Sequence, residues 1–223
     1  MEENGMVIDG LDEIEVANTS IDDIDSENIN LMFLAIDKSG SMYQFVSDMA
    51  TSLSEFKDAL LNSKEADEIL VARAEFTDTC SIGGYKKIGE FDTSFNAYGG
   101  TAMYDAIIEG KEKLVEYRNF LKNEGMRVKC VFSVFSDGED NSSHHTFSEA
   151  KAAIDYLNQE EITTAFISFG GEATQIAKDL GFRNLLDVSS SASELRKAFN
   201  CLSKSVIESS KSVVADEDDF FQI

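Results

Sequence analysis

The feature that most constrains the fold is a regular alternation of apolar runs with segments of helical periodicity. Residues 31–36 form a continuous apolar run, which is typical of a strand buried on both faces. Between Tyr43 and Leu61, apolar residues recur every three or four positions, which predicts an amphipathic helix. Because the two patterns continue to alternate along the chain, we expect an α/β fold with a largely parallel sheet.

The alternation assigns most of the chain to individual elements. Residues 80–88 contain Gly83-Gly84 and predict a short antiparallel strand with a turn at the sheet edge. We therefore expect a doubly wound, mostly parallel sheet of about six strands, with helices on both faces and ligand sites at the carboxyl ends of the strands. The predicted parallel strands cover 31–36, 69–76, 128–135, 162–169 and 185–188, and the helices cover 43–61, 102–121, 147–157, 172–180 and 193–211.

The acidic residues are concentrated at the two ends of the chain. The 223 residues include 19 Lys and Arg and 42 Asp and Glu, for a formal net charge of −23. Residues 1–28 hold ten acids and no Lys or Arg, and residues 216–219 hold four more, so residues 29–215 carry 28 acids against 19 bases, or −9. This distribution argues against nucleic acids and anionic membranes as partners. It predicts an acidic N-terminal extension over 1–28, a central domain over 29–211 and an acidic-aromatic tail over 212–223.

Both ends also carry apolar residues, which leaves their role open. They are solvated acidic segments, or they pack on the domain, dock on a partner or drive self-association. A purely solvating segment would not need its apolar side chains, which are Val7, Ile8, Leu11, Ile14, Val16, Ile21 and Ile24 at one end and Phe220, Phe221 and Ile223 at the other.

Cysteine content and hydropathy predict a soluble, cytoplasmic protein. Cys80, Cys130 and Cys201 are widely spaced and unpaired in sequence, so neither a disulfide framework nor a zinc site is indicated. The chain begins without the basic start and apolar stretch of a signal peptide, and no apolar run reaches the roughly 20 residues that a membrane span needs.

Three loops at the predicted carboxyl edge carry oxygen side chains. The first strand runs into Asp37-Lys-Ser39-Gly-Ser41, a helix is preceded by Gly99-Gly100-Thr101, and a strand ends in Ser136-Asp137-Gly138. Carboxylates and hydroxyls suit Mg²⁺, Mn²⁺ or Ca²⁺ and do not suit a thiolate-seeking or imidazole-seeking metal. We therefore predict one divalent-metal site whose ligands are Asp37, Ser39, Ser41, Thr101 and Asp137.

Spacing explains how these side chains reach one point. A turn that leaves a strand and coils around an ion aims positions i, i+2 and i+4 inward, and Gly40 permits the tight path. An ion held mainly by neutral hydroxyls stays electrophilic and attracts an anionic ligand from outside. Taken singly, Ser39, Ser41 and Thr101 are equally compatible with helix caps, and Asp137-Gly138 with an ordinary turn.

These residues resemble the metal-ion-dependent adhesion site (MIDAS) of von Willebrand factor type A (VWA) domains. All five site positions are present, and the similarity covers approximately residues 29–210. The resemblance implies a Rossmann-like fold and a binding module that is not an enzyme. It also implies Mg²⁺, with Mn²⁺ or Ca²⁺ as substitutes. Ser39, Ser41 and Thr101 would bind the ion directly or nearly so, and Asp37 and Asp137 would bind it directly or through water. A Glu or Asp of a partner protein would take the open coordination position. Residues 135–141 look especially like those of intracellular bacterial or phage-type members.

Other interpretations explain parts of the sequence. A haloacid-dehalogenase-type phosphatase would use Asp37 as nucleophile, but it needs an acid two positions later, where Ser39 stands. A structural subunit of a larger phage or ATPase-linked assembly is a third possibility. Gly170-Gly171 precedes a helix and would suit an anion. His144 and His145, the two histidines of the chain, are either exposed or close enough to the rim to tune partner binding with pH.

Overall fold

The computed structural model describes seven strands and five α-helices within residues 14, 17–63, 68–169, 173–188, 191–211 and 220–221. The strands are β1 (Asn28–Asp37), β2 (Glu68–Phe76), β3 (Cys80–Ile82), β4 (Lys86–Lys87), β5 (Arg127–Ser136), β6 (Thr163–Phe169) and β7 (Asn184–Val188). The helices are α1 (Val46–Leu61), α2 (Met103–Asn123), α3 (Phe147–Gln159), α4 (Ala173–Leu180) and α5 (Ala192–Lys211). Short 3₁₀ helices cover Ile21–Asp23, Gly40–Phe45 and Ile88–Glu90. None of the described helices is both long and apolar enough to cross a membrane.

The strands form one mostly parallel sheet, which confirms the predicted fold class. Their order is β3-β2-β1-β5-β6-β7, with β4 also paired to β2, and only β3 and β4 run antiparallel to their neighbour. The expected single antiparallel edge strand is two strands in the structure. Tyr85 lies between these two strands and does not pair with β2. Its backbone bonds the N-terminal segment instead: its N–H donates to Asn18 Oδ1 and its carbonyl accepts from Thr19 N–H.

The central strand β1 explains the continuous apolar run. Alternate side chains of β1 face two separate hydrophobic clusters: Phe33 packs in one with α2, α3 and α4, whereas Leu34 packs in the other with α1 and α5. Both side chains are fully buried. The sheet therefore has helices on both faces, as predicted.

The strand order places the reversal of winding direction next to β1. The chain goes from β1 through α1 to β2 on one side, while β5 lies parallel on the other side, so the direction of winding reverses between β1 and β5. Ligand sites in such sheets lie outside the strand ends at this reversal. Ile36 pairs with Phe135, which brings the residues after β1 and after β5 to the same edge.

Described residues from both ends of the chain pack on the domain. Ile21 and Ile24 lie against the cluster under α2, and the Tyr117 hydroxyl donates to Thr19 O over 2.7 Å. Phe220 packs in the opposite cluster, and its N–H donates to Asn184 Oδ1 over 3.1 Å. The proposed domain boundaries stay predictions. Outside the described residues lie Gly170-Gly171 and the apolar side chains Val7, Ile8, Leu11, Val16 and Ile223.

Candidate metal site

Asp37 ends β1 and is the buried base of the site. Its Oδ1 accepts from the backbone N–H of Ser39 over 2.8 Å, and its Oδ2 accepts from the Ser136 hydroxyl over 2.6 Å. Burial raises the pKa of Asp37 to about 6, although the hydrogen bonds from Ser136 and Ser39 oppose the shift, and the charge of Asp137 adds to it. A buried carboxylate beside a second one is the environment in which a divalent cation stabilises the ionised forms.

A chain of hydroxyls leads from this base to the surface. The hydroxyls of Ser39 and Ser41 lie 2.9 Å apart, and Ser41 donates to Asp137 Oδ1 over 2.8 Å. Ser39 is buried, Asp137 is half-buried and Ser41 is exposed. The structure thus brings four of the five predicted ligands into one hydrogen-bonded cluster that opens to solvent.

Thr101 is linked to the loops that carry the cluster by backbone hydrogen bonds. It is buried just before α2, and its N–H donates to Asn141 Oδ1 over 2.9 Å. The loop preceding it is fixed to the Asp37 loop because Gly40 N–H donates to Gly99 O over 3.0 Å. Its assignment as a ligand stays a prediction, as do those of the other four residues.

The helix-cap interpretation does not account for these side chains. Ser39 is the N-cap of the 3₁₀ helix, but its side chain makes no capping hydrogen bond there, and it contacts the Ser41 hydroxyl instead. Thr101 lies outside α2, whose N-cap is Ala102. Neither the 3₁₀ helix nor α2 is therefore capped by the side chain of Ser39 or Thr101.

Sequence reasoning missed Asp78, which holds the glycine pair next to Thr101. Asp78 Oδ1 accepts from Gly100 N–H over 2.9 Å. Gly99 has a φ of +76°, which favours glycine, and a Cβ on Gly100 would lie 2.2 Å from the Ser142 hydroxyl oxygen. The one sequence signal for Asp78 is its place two residues after the end of β2, the strand that lies parallel to β1 and next to it.

Lys38, inside the first loop, does not neutralise the two aspartates. Its side chain is largely buried and pairs with Glu75 over 2.7 Å, and Glu75 also pairs with Arg73 over 2.6 Å. The Lys38 ammonium group thus pairs with an acid of β2 and not with the two aspartates. Its backbone still ties the site together, because Lys38 O accepts from Tyr98 N–H over 2.7 Å.

The two histidines contact a buried acid that sequence reasoning did not single out. Asp105, in the first turn of α2, accepts from the backbone N–H groups of both His144 and His145. The Nδ1 atoms of His145 and His144 lie 2.8 and 3.2 Å from its carboxylate oxygens. Burial opposes ionisation of Asp105, but these hydrogen bonds outweigh it and lower its pKa to about 2.

The oxygen atoms of the cluster fit a hard divalent ion. In the part of the chain that the structure describes, no three His, Cys, Asp or Glu side chains come together as a metal site. An ion at this place would therefore be held by two aspartates supplemented by hydroxyls, a set of oxygen ligands that suits Mg²⁺ or Mn²⁺. Ser39 cannot serve as the general acid that a phosphatase would need, since a serine hydroxyl does not ionise at neutral pH.

Several solved structures are similar to this chain, and they include the following. Proximal thread matrix protein 1 from the mussel byssus aligns with a TM-score of 0.61 and 16% identity, over 84% of this chain and 47% of that one. A von Willebrand factor type A structure from Catenulispora acidiphila has a TM-score of 0.55 and 17% identity, over 81% and 43%. The VWA domain of SpRpn10 has a TM-score of 0.55 and 13% identity, over 83% and 99%. A further structure of the mussel protein, with a TM-score of 0.57, has a zinc-occupied MIDAS motif.

The similarity lies in structure and not in sequence. No protein-family model matches the chain, and no curated protein matches it either. The chain spans less than half the length of the mussel and Catenulispora structures, but it corresponds to almost all of the SpRpn10 domain. Its sheet order, its helices on both faces and these alignments agree, and the chain has the fold of a von Willebrand factor type A domain.

Proposed function

We propose that this chain is a divalent-metal-dependent protein-interaction module. An ion held by Asp37, Ser39, Ser41, Thr101 and Asp137 would accept a Glu or Asp carboxylate from a partner protein. The observation that carries the proposal is the hydrogen-bonded series from buried Ser39 through exposed Ser41 to Asp137, at the place where the winding of the sheet reverses.

The electrostatics of the site favour a cation. Asp37 is fully buried, and both the burial and the charge of Asp137 oppose its ionisation. Lys38 pairs with Glu75 and leaves this charge uncompensated. Mg²⁺ is the proposed physiological ion, with Mn²⁺ or Ca²⁺ as substitutes, and the zinc-occupied MIDAS motif of the mussel protein supports divalent-ion binding by this fold.

The surface around the site favours a protein partner. Tyr43 follows Ser41 by two residues and is 75% exposed, and Tyr98, whose backbone bonds Lys38, is 57% exposed. Exposed aromatic side chains are enriched where proteins bind each other. A partner carboxylate that reaches the ion would therefore place its neighbouring residues against these rings.

We also propose that the protein is not an enzyme and that it is cytoplasmic. The residue two positions after Asp37 is a serine that bonds another serine, so the general acid of a phosphatase has no counterpart at that position. None of the described cysteines, Cys80, Cys130 and Cys201, forms a disulfide, which fits a reducing compartment. Assignment to an intracellular bacterial or phage-type group rests on residues 135–141 alone.

Calorimetric titration tests the metal site directly. EDTA-treated protein is titrated with Mg²⁺ and Mn²⁺ in wild type, in Asp37→Ala and in the control Asp92→Ala, whose carboxyl group is exposed and bonds Ser94. We expect binding in wild type and control and none in Asp37→Ala. Unchanged binding in Asp37→Ala would show that the ion site is elsewhere.

The partner carboxylate is tested with defined probes. Water-proton relaxation of the Mn²⁺-loaded protein is measured while the peptide Gly-Glu-Gly, with blocked ends, is added, and the matched peptide Gly-Gln-Gly serves as control. Displacement of bound water by the Glu peptide alone supports the proposal, and equal effects of both peptides contradict it. Metal-dependent hydrolysis of an aryl phosphate that is lost in Asp37→Asn would establish the phosphatase alternative.

A further inference from the structure

The loop after β5 is tied to α2 by a buried carboxylate. Asp105 has a side chain that is 5% exposed, and it accepts both backbone N–H groups of the His144-His145 pair as well as contacts from both Nδ1 atoms. The His145 contact is the shorter one, at 2.8 Å, and its ring is 39% exposed, whereas the His144 ring is 84% exposed. One acid thus fixes two consecutive loop residues.

Asp105 and the loop residues 140–145 together form what we call the clamp. In it, backbone N–H groups of α2 also donate to side chains of the loop. Asp140 Oδ2 accepts from Tyr104 N–H over 3.0 Å, and the Ser143 hydroxyl accepts from Asp105 N–H over 3.0 Å. Loop side chains therefore satisfy N–H groups that the first turn of a helix leaves unpaired. Because α2 follows Thr101 and the loop follows Asp137, the clamp fixes the chain next to two of the predicted ligands.

The groups that act on His145 make it responsive to pH. Asp105 hydrogen-bonds it and outweighs the effect of burial, so its pKa is raised, and the charges of Glu149 from α3 and Glu109 from α2 act in the same direction. From β3, Cys80 faces Asp105 and Glu109, and burial together with their charges raises the pKa of its thiol to about 12, so it stays neutral. Protonated His145 is thus surrounded by carboxylates.

We propose that Asp105 is a positioning residue for the metal site, and that protonation of His145 tightens its hold on the loop that carries Asp137. This inference rests on the proposed function and adds a regulatory group that is not itself a ligand. A charged imidazole makes a stronger hydrogen bond to a carboxylate than a neutral one does. The loop is therefore held most firmly below the pKa of His145 and less firmly above it.

Mn²⁺ affinity over a range of pH tests this coupling. Titrations at pH 6.0, 7.0 and 8.5 compare wild type with His145→Gln, and His144→Gln is the matched control. Protonation of the ligands weakens binding equally in all three proteins, so the ratio of dissociation constants isolates the histidine. We expect His145→Gln to bind about 5-fold more weakly at pH 6.0 and to approach wild type at pH 8.5, within the usual range of coupling between sites. A ratio that is constant over pH would overturn the inference.

Hydrogen exchange of the metal-free protein gives a second readout. We expect faster exchange of residues 137–145 in His145→Gln than in wild type at pH 6.0, and faster exchange at every pH in Asp105→Asn, which keeps the shape of the side chain but loses its charge. A wild type that binds no Mn²⁺ would overturn the proposed function and this inference with it. Mn²⁺ binding without any response of affinity ratio or exchange to His145 would overturn the inference alone.

Discussion

The Ser41 hydroxyl donates a hydrogen bond to Asp137 Oδ1 over 2.8 Å and joins two loops that are 96 residues apart in the sequence. Ser41 is exposed, while Ser39, which it also contacts, is buried. The connection between the two loops therefore lies at the surface of the site, above the buried carboxylate of Asp37. Removing the Ser41 hydroxyl should change the site without changing the core.

Ser41→Ala should separate metal binding from stability. An exposed hydroxyl contributes little to folding, so we expect the free energy of unfolding to change by less than about 1 kcal/mol. Mg²⁺ affinity should fall by about 10-fold, measured by calorimetry, because such a loss corresponds to one ligand interaction of about 1.4 kcal/mol. Ser47→Ala, at an exposed serine in the first turn of α1, should affect neither quantity. Equal Mg²⁺ affinity of Ser41→Ala and wild type would remove Ser41 from the ligand set.

Asp37→Asn should stabilise the metal-free protein at alkaline pH. The pKa of Asp37 is raised from 3.8 to about 6, so its contribution to stability is full below pH 3.8 and is lost as the pH rises through 6. A neutral amide avoids that loss, and we expect urea unfolding in EDTA at pH 8 to show about 2 kcal/mol more stability than wild type. The difference should vanish near pH 4.

Two comparisons check the Asp37 prediction. Saturating Mg²⁺ should raise the melting temperature of wild type and leave Asp37→Asn unchanged, since binding to the native state is what stabilises it. Asp92→Asn should show the opposite trend without metal, because hydrogen bonds from Ser94 lower the pKa of Asp92. An Asp37→Asn variant that is less stable than wild type at pH 8 would contradict the assigned cause.

Gly100→Ala should disturb the loop that carries Thr101. The added Cβ would lie 2.2 Å from Ser142 Oγ and 2.9 Å from Asp78 Oδ1, so neighbours must move, and we expect a loss of about 1–3 kcal/mol in the free energy of unfolding. Metal affinity should fall as well. Gly138→Ala is the matched control, because a Cβ there meets nothing within 4 Å. Similar effects of both variants would show that the close approach around Gly100 is unimportant.

Asp105 should support stability in acid. Its pKa is lowered from 3.8 to about 2, so its contribution is present above pH 3.8 and is lost as the pH falls through 2. We expect wild type to lose about 2 kcal/mol more than Asp105→Asn between pH 4.5 and pH 2, measured by urea unfolding. Parallel curves for the two proteins over this range would contradict the role of the histidine contacts.

Phe220→Ala should destabilise the domain more than Phe221→Ala does. Phe220 is 5% exposed and packs in the cluster under α5, while Phe221 is only partly buried. Truncating a buried aromatic side chain costs about 3 kcal/mol or more. Chemical denaturation of the full chain measures both variants. Equal, small effects would show that the tail packs only weakly, and a docking role toward a partner would then regain support.

Local sequence patterns determined most of the fold. The apolar run before Asp37 is typical of a strand covered on both faces, and the three-and-four spacing from Tyr43 to Leu61 predicts a helix after it. Parallel strands joined by helices bring their carboxyl ends to one edge, so the predicted oxygen ligands of the Asp37 and Asp137 loops were expected to meet there. These inferences succeed because hydrophobic periodicity is a local property of the chain.

Tertiary structure alone decided which distant groups partner one another. Nothing in the spacing of Asp78, Asp105 or Tyr85 indicates that they bond Gly100, the two histidines or Asn18 and Thr19. Each of these contacts joins segments that are distant in the sequence and come together only when the sheet and its helices have packed. The edge strand divides for the same reason. Periodicity specifies which face of an element is buried, whereas hydrogen bonds between loops depend on side-chain directions that exist only once the sheet and its helices have packed.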